Sequence, residues 1–308
     1  MTDRTSDSRR ESPNAPTYVR RQSTLIGAGL MVLSVMSFTC LDTVLKMLVG
    51  SHDLWALAWA RSLMQVLYLA LLIPFIGASR MVAVKRPMLQ LVRGFCLAAT
   101  TVAILLSLRH MTLTQTYVAM LSAPLVAAAL SGVALSERTT ATQWLWIVAG
   151  FAGVVIALDP SAPEIGWFLT YAVAMAVALG AYHVLTRLAA RVEQPLPQLF
   201  YVGLFATLLL TPALFLFASE SLPPAIWGWI ALAGAFGTCA HFLLILAFSY
   251  APPAVVSPMI YTQIIWAAIA GYLVFAEVPT LGTFIGALIV AASGMAILRG
   301  AGRTRQAT

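Results

Sequence analysis

Long apolar stretches fill the chain after residue 23, separated by short breaks rich in polar residues, glycine and proline. They fall at 24–45, 54–76, 89–108, 112–135, 142–158, 165–188, 197–218, 225–248, 252–275 and 280–298. Most approach the ~20 residues a helix needs to cross a bilayer core. They are too long, and lack the polar–apolar alternation, to read as membrane strands. Turn chemistry marks the breaks, as in Gly50-Ser51-His52-Asp53 and Asp159-Pro160-Ser161-Ala162-Pro163. The pattern predicts an all-α integral membrane protein with ten transmembrane helices.

Composition agrees. Of 308 residues, 60% are hydrophobic and 9% charged, against about 25% charged in soluble domains. That excludes a single soluble globule, and disorder needs the opposite composition. Cys40, Cys96 and Cys239 lie in apolar runs and give neither a disulfide framework nor metal-ligand spacing.

The net charge of +7 is a matter of topology, not of nucleic-acid binding. Residues 1–23 read as a retained cytoplasmic polar tail, because the run after them is too long for a signal-peptide core. Ten spans from there return residues 299–308 to the cytoplasm. The Lys and Arg of both tails and of the 80–93, 138 and 187–191 segments then lie inside, fifteen of the 18. Arg109 is the single one outside, and Lys46 and Arg61 fall within spans. This is the asymmetry the positive-inside rule expects.

The chain also repeats. At an offset of 140, Glu137 meets Glu277 and Gly94 meets Gly234; at 141, Asp42 and Lys46 meet His183 and Arg187. Two five-helix halves, 24–158 and 165–298, are the simplest account. Five being odd, the second half is inverted, as in many secondary transporters. Pro124 and Pro258 have no counterparts at Ile264 and Val118, so the fourth and ninth spans have diverged.

Arg61, Arg93, Ala119-Met120-Leu121-Ser122-Ala123-Pro124-Leu125, Leu135-Ser136-Glu137-Arg138 and Phe275-Ala276-Glu277 resemble the marks of the drug/metabolite transporter superfamily, in its ten-helix EamA-type branch. The resemblance covers about residues 24–298. It implies a multi-pass carrier of the bacterial inner membrane, with a central cavity between two inverted EamA-type repeats. It does not select a substrate.

Charged residues within a span are costly and are functional candidates first. Asp42 and Lys46 stand four apart on one helix face. They read either as a proton- or ammonium-binding pair or as a structural ion pair near the outer interface. Arg61 is a candidate for carboxylate binding or for a gating role shared across the family. His183 and His241 are candidate proton relays, or else hydrogen-bonded core histidines. Tyr117 and Ser122 flank the Pro124 break, and Tyr261 and Gln263 follow Pro258. A proline frees helix carbonyls that must be re-satisfied or line a cavity, so these four read as cavity lining or as helix-to-helix hydrogen bonds. Thr100, Thr101 and Trp59 are further candidates beside them. Glu137 and Glu277 read as helix-end hydrogen-bonding residues. Gly150, Gly153, Gly282 and Gly286 fit either packing within the monomer or a homodimer contact.

The expectation is a secondary transporter exporting a small polar metabolite, an amino acid or an amino-acid-derived compound such as a metallophore. The alternative is an importer of a purine, riboflavin or S-adenosylmethionine-like compound, and the remote one a receptor or scaffold. No cofactor, metal or catalytic residue is expected. Proton coupling is open, as is the choice between monomer and homodimer.

Overall fold

In a computed structural model, residues 24–134, 141–189, 192–250 and 257–306 are described. They form helices, with no strand among them. The chain runs α1 Thr24–Val49, α2 Leu54–Leu71, α3 Ile73–Ile76, α4 Ala78–Val82, α5 Pro87–His110, α6 Leu113–Met120 and α7 Ala123–Ala134. It continues with α8 Ala141–Ala157, α9 Ile165–Ala189, α10 Pro195–Phe217, α11 Trp227–Tyr250, a 3-10 turn Ser257–Thr262, α12 Gln263–Phe275 and α13 Leu281–Gln306. Eight stretches are long and apolar enough to cross a membrane, and the shorter apolar helices Ala141–Ala157 and Leu281–Ile297 make ten.

The helix ends follow local chemistry. Asp53 caps α2 by accepting the Ala56 N–H at 3.0 Å. Thr112 and Gln115 form a capping box at the start of α6. Pro87 and Pro195 sit in the first turns of α5 and α10, where a missing N–H costs nothing. The fourth span is not one helix: it breaks at Leu121-Ser122, just before Pro124. The ninth starts as a 3-10 turn around Pro258 before α12 begins. Both breaks lie where the prolines predicted them.

Helices of the two halves exchange partners. α1 packs on α11 and α5 on α9, while α2 packs on α10 and α8 on α13. Gly94 of α5 lies so close to α10 that a Cβ built on it would stand 2.5 Å from the Phe205 Cβ; one on Gly234 of α11 would stand 2.4 Å from the Met64 Cβ of α2. Met64 and Phe205 are 141 apart and the glycines 140, so these are two copies of one contact. The loops repeat the relation. Asp53 accepts the Ser219 N–H at 3.0 Å. Glu193, 140 residues on, accepts the N–H groups of Lys85 and Arg86 at 2.9 and 2.7 Å. Such exchange is what a twofold relation between halves generates.

The glycines of α8 and α13 meet within the chain. Gly286 lies against the Gly153 carbonyl, and Thr283 Oγ1 donates to Ala157 O at 3.1 Å. These small residues pack within the monomer. The outside of the bundle is apolar, with Phe75, Leu145, Val148, Phe215 and Leu273 exposed, as a lipid-facing surface requires. Trp144, Trp146, Trp167 and Trp229 are exposed as well.

Candidate functional site

The polar groups of the interior gather where α1, α2, α5, α6 and α12 meet. Asp42 of α1 is buried, and its Oδ2 accepts the Tyr117 hydroxyl at 2.6 Å. The capping box that starts α6 sets where Tyr117 falls on that helix. The Thr39 and Gln263 side chains also reach the Tyr117 phenol. Across from Asp42, Arg61 of α2 donates from Nη1 to Thr101 Oγ1 at 2.8 Å. Asp42 and Arg61 attract each other but do not close to salt-bridge distance. His241 of α11 meets the Phe38 ring edge-on at 4.8 Å. It feels the charges of both Arg61 and Arg93.

Arg93 extends this interior further. Its sequence position counts it among inner-side flanking charges, yet it is 2% exposed between α5 and α9. Its Nη1 donates to Gln90 Oε1, and its Nε to Thr186 Oγ1 at 3.1 Å. Its guanidinium lies 5.3 Å from the Tyr182 ring. His183, beside Tyr182, is exposed. It points away from the apolar stripe of Val173, Ala174 and Val177 that α9 turns outward, as a turn of ~100° per residue requires. The apolar groove of Leu169, Val173 and Val177 on that stripe holds none of these charged groups.

Lys46 is not the partner of Asp42. Its Nζ lies 2.7 Å from Glu277 Oε1 and donates to Met111 O. Glu277 Oε2 accepts the Leu113 N–H at 2.8 Å, the helix-end role read from the sequence. The physical reason is reach. Lys46 lies one turn, ~6 Å, nearer the end of α1, and its long side chain finds an acid from the other half there. Asp42, one turn deeper, meets Tyr117 instead. Among the described residues Lys46–Glu277 is the one ion pair at salt-bridge distance.

Two candidates lie elsewhere. Ser122 donates to Ala119 O at 2.6 Å, a local bond to its own backbone at the helix break. Tyr261 packs in a second apolar cluster with Ala119 and Val290, its hydroxyl against Gly294. Thr100 donates to its own helix at Cys96 O, and Trp59 to Thr211 of α10. Glu137 and Arg138 lie outside the described residues, as does the side chain of Arg187. Phe38, Thr39, Gln90, Tyr182 and Thr186 did not stand out in the sequence. Helical spacing offered a signal for two of them: Thr39 precedes Asp42 by three, and Gln90 precedes Arg93 by three.

Residues 166–299 match the EamA-like transporter family, which bears out the resemblance read in the sequence. An S-adenosylmethionine uptake transporter of Rickettsia bellii is 26% identical, over 86% of this chain and 90% of its own length. A riboflavin transporter of Rhizobium johnstonii is 25% identical, over 89% and 91%. A pseudopaline exporter of Pseudomonas aeruginosa is 26% identical, over 89% and 96%. A solved crystal structure superposes with a TM-score of 0.60 at 17% identity, covering 88% of this chain and 94% of that one, and shares the fold. These matches, with the ten apolar spans, support a multi-pass membrane transporter of small molecules.

Proposed function

We propose that this chain, whose second half matches the EamA-like transporter family, is a secondary carrier that exports a zwitterionic, amino-acid-like metabolite across the bacterial inner membrane. One observation carries the reading. Asp42 and Arg61 face each other in the bundle interior, opposite in charge and not closed on one another. The Asp42 carboxylate, one oxygen of which already accepts the Tyr117 hydroxyl, is the group for a substrate ammonium. A substrate carboxylate fits Arg61, whose planar guanidinium presents paired donors. Gln263 orients the polar remainder.

Binding at a midplane site flanked by both halves suits alternating access, in which the halves rock about the bound solute. The sequence has no glycine-rich GK[ST] phosphate loop, so the driving force is a solute gradient or a coupled proton. Asp42 is the proposed proton carrier, exchanging a proton for the substrate's ammonium. Both termini lie in the cytoplasm in this reading. A cysteine introduced at Ser161 is then labelled from outside, and one at Arg86 is not.

Import is the second reading, favoured by the relative named for S-adenosylmethionine uptake. Flux in proteoliposomes, with and without an imposed pH gradient, tests the proposal. Saturable, gradient-stimulated flux that Asp42→Asn abolishes is expected. Flux indifferent to both the gradient and Asp42 would make the protein a facilitator with a structural Asp42, and absence of saturable flux would overturn the carrier reading.

A further inference from the structure

Among the described residues, Arg93 is a buried charge without a counter-ion. Lys46 is answered by Glu277, and Arg61 faces Asp42. The contacts of Arg93 are all neutral: the Gln90 amide oxygen, the Thr186 hydroxyl and the Tyr182 ring. Glu193, an acid at that end of α5, is engaged by the backbone N–H groups of Lys85 and Arg86. A guanidinium cannot relieve its burial by losing a proton, so an uncompensated Arg buried between helices is an invitation to an anion.

A second group makes the same demand. Gln90 is 0% exposed, and its Nε2 has no partner among the described residues. The amide is held in this sense because Arg93 needs its oxygen as acceptor. Two amide hydrogens therefore remain unmatched beside an unmatched cation. The guanidinium charge, answered only by neutral acceptors, and the unpartnered amide N–H groups beside it are together complementary to an oxyanion. Arg93 lies where α5 of the first half packs on α9 of the second. Rocking of the halves is the motion that would open it to a solute.

We infer that Arg93 and Gln90 read an extra acid group on the transported solute, a second carboxylate or a phosphate. This rests on the carrier reading above and sharpens it: the substrate is an acidic amino-acid-like compound, not a neutral or cationic one.

The test is counterflow in proteoliposomes with radiolabelled leucine, lysine, glutamate and phosphoserine, on wild type, Asp42→Asn, Arg93→Gln and Gln90→Glu. Glutamate or phosphoserine should show a KM about tenfold below that of leucine, the worth of one charge-assisted hydrogen bond, and the better of the two identifies the acid. Lysine should be the poorest. Gln90→Glu, nearly isosteric, supplies Arg93 with an internal carboxylate. It should bring the leucine-to-acid KM ratio toward one while the variant elutes as a folded monodisperse species, which keeps the test alive where Arg93→Gln does not fold. A wild type that prefers leucine or lysine, or an unchanged KM ratio in folded Gln90→Glu, overturns the inference while leaving the carrier intact. No saturable flux with any probe overturns the carrier reading, and this inference with it.

Discussion

Lys46 Nζ stands 2.7 Å from Glu277 Oε1, so a cation of the first half closes on an acid of the second at one end of the bundle. The side chains are 11% and 17% exposed, between a surface pair and a sealed one. Lys46 is also fixed by Met111 O, and Glu277 by the Leu113 N–H. If the chain works by the proposed alternating access, this contact parts when that end opens. Glu277→Gln is expected to cost about 1–3 kcal/mol, between the surface and buried limits. It should also speed labelling of the partly exposed Cys40 by a membrane-impermeant thiol reagent added from that side. The assay uses a background in which Cys96 and Cys239 are replaced by alanine. The double exchange Lys46→Glu with Glu277→Lys, which restores the ion pair but not the bonds to Met111 O and the Leu113 N–H, should slow labelling only part of the way back. Equal rates in all three proteins would remove the pair from the gating of that end.

Tyr117 donates to Asp42 at 2.6 Å and is 1% exposed. Tyr117→Phe keeps the ring and removes the one hydroxyl that answers the carboxylate. A charge-assisted hydrogen bond is worth about 1.5–3 kcal/mol, so transport through the proposed site should fall roughly tenfold or more. The loss should appear in KM and in gradient coupling together. Flux kinetics against pH gradient would show it, and unchanged kinetics would place Asp42 outside the transport path.

Gly294 is fixed by Tyr261. A Cβ there would lie 1.4 Å from the Tyr261 hydroxyl oxygen and 2.3 Å from the ring carbon that bears it. Gly294→Ala should therefore overpack the second apolar cluster and destabilise by about 1–3 kcal/mol. Tyr261→Phe removes the nearer clashing atom and an unpartnered buried hydroxyl. In the double variant it should recover part of that loss. Thermal unfolding in detergent measures both, and additive losses would contradict the contact.

Asp53 ties the start of α2 to the loop after α10. Partial burial pushes its carboxyl up, but the N–H of Ala56, the N–H and hydroxyl of Ser219, and the N–H of Trp55 together hold it below the ordinary carboxylate value. A depressed carboxyl adds stability that is present above its unfolded pKa, about 4, and is lost as pH falls through the folded value. Stability should therefore be flat near neutrality and decline below about pH 4. Asp53→Asn keeps the cap, Asn being an equal N-cap, but loses the acceptor for Ser219; it should remove part of that acid limb and lower stability at neutral pH by about 1 kcal/mol. Unfolding followed from pH 3 to 7 tests this, and an acid limb that Asp53→Asn leaves unchanged would assign it to other carboxyls.

The helices were legible because a membrane span is a property of a contiguous run. Apolar length and the prolines at 124 and 258 placed the spans and their breaks without reference to any neighbour. The repeat was legible for a related reason: Gly94 and Gly234 must be small where a helix of the other half presses on them, so packing left a mark at a fixed offset. Partner choice was not legible. Asp42 and Lys46 share a helix face, and only the approach of α6 and α12 decides that one takes Tyr117 and the other Glu277. Ser122 and Tyr261 are polar residues beside helix breaks, as the sequence reading required. Yet one hydroxyl serves its own backbone, and the other faces Gly294 in a different cluster.

The sequence by itself determined the class of molecule, the ten apolar spans, the two related halves and the few interior residues able to carry charge. These follow from hydration and covalent order, which act along the chain. Tertiary structure decided which charges are answered and which are not. It set Asp42 opposite Arg61, drew Lys46 to Glu277 and buried Arg93 among neutral partners, because the field at a side chain is made by whichever helices pack against it.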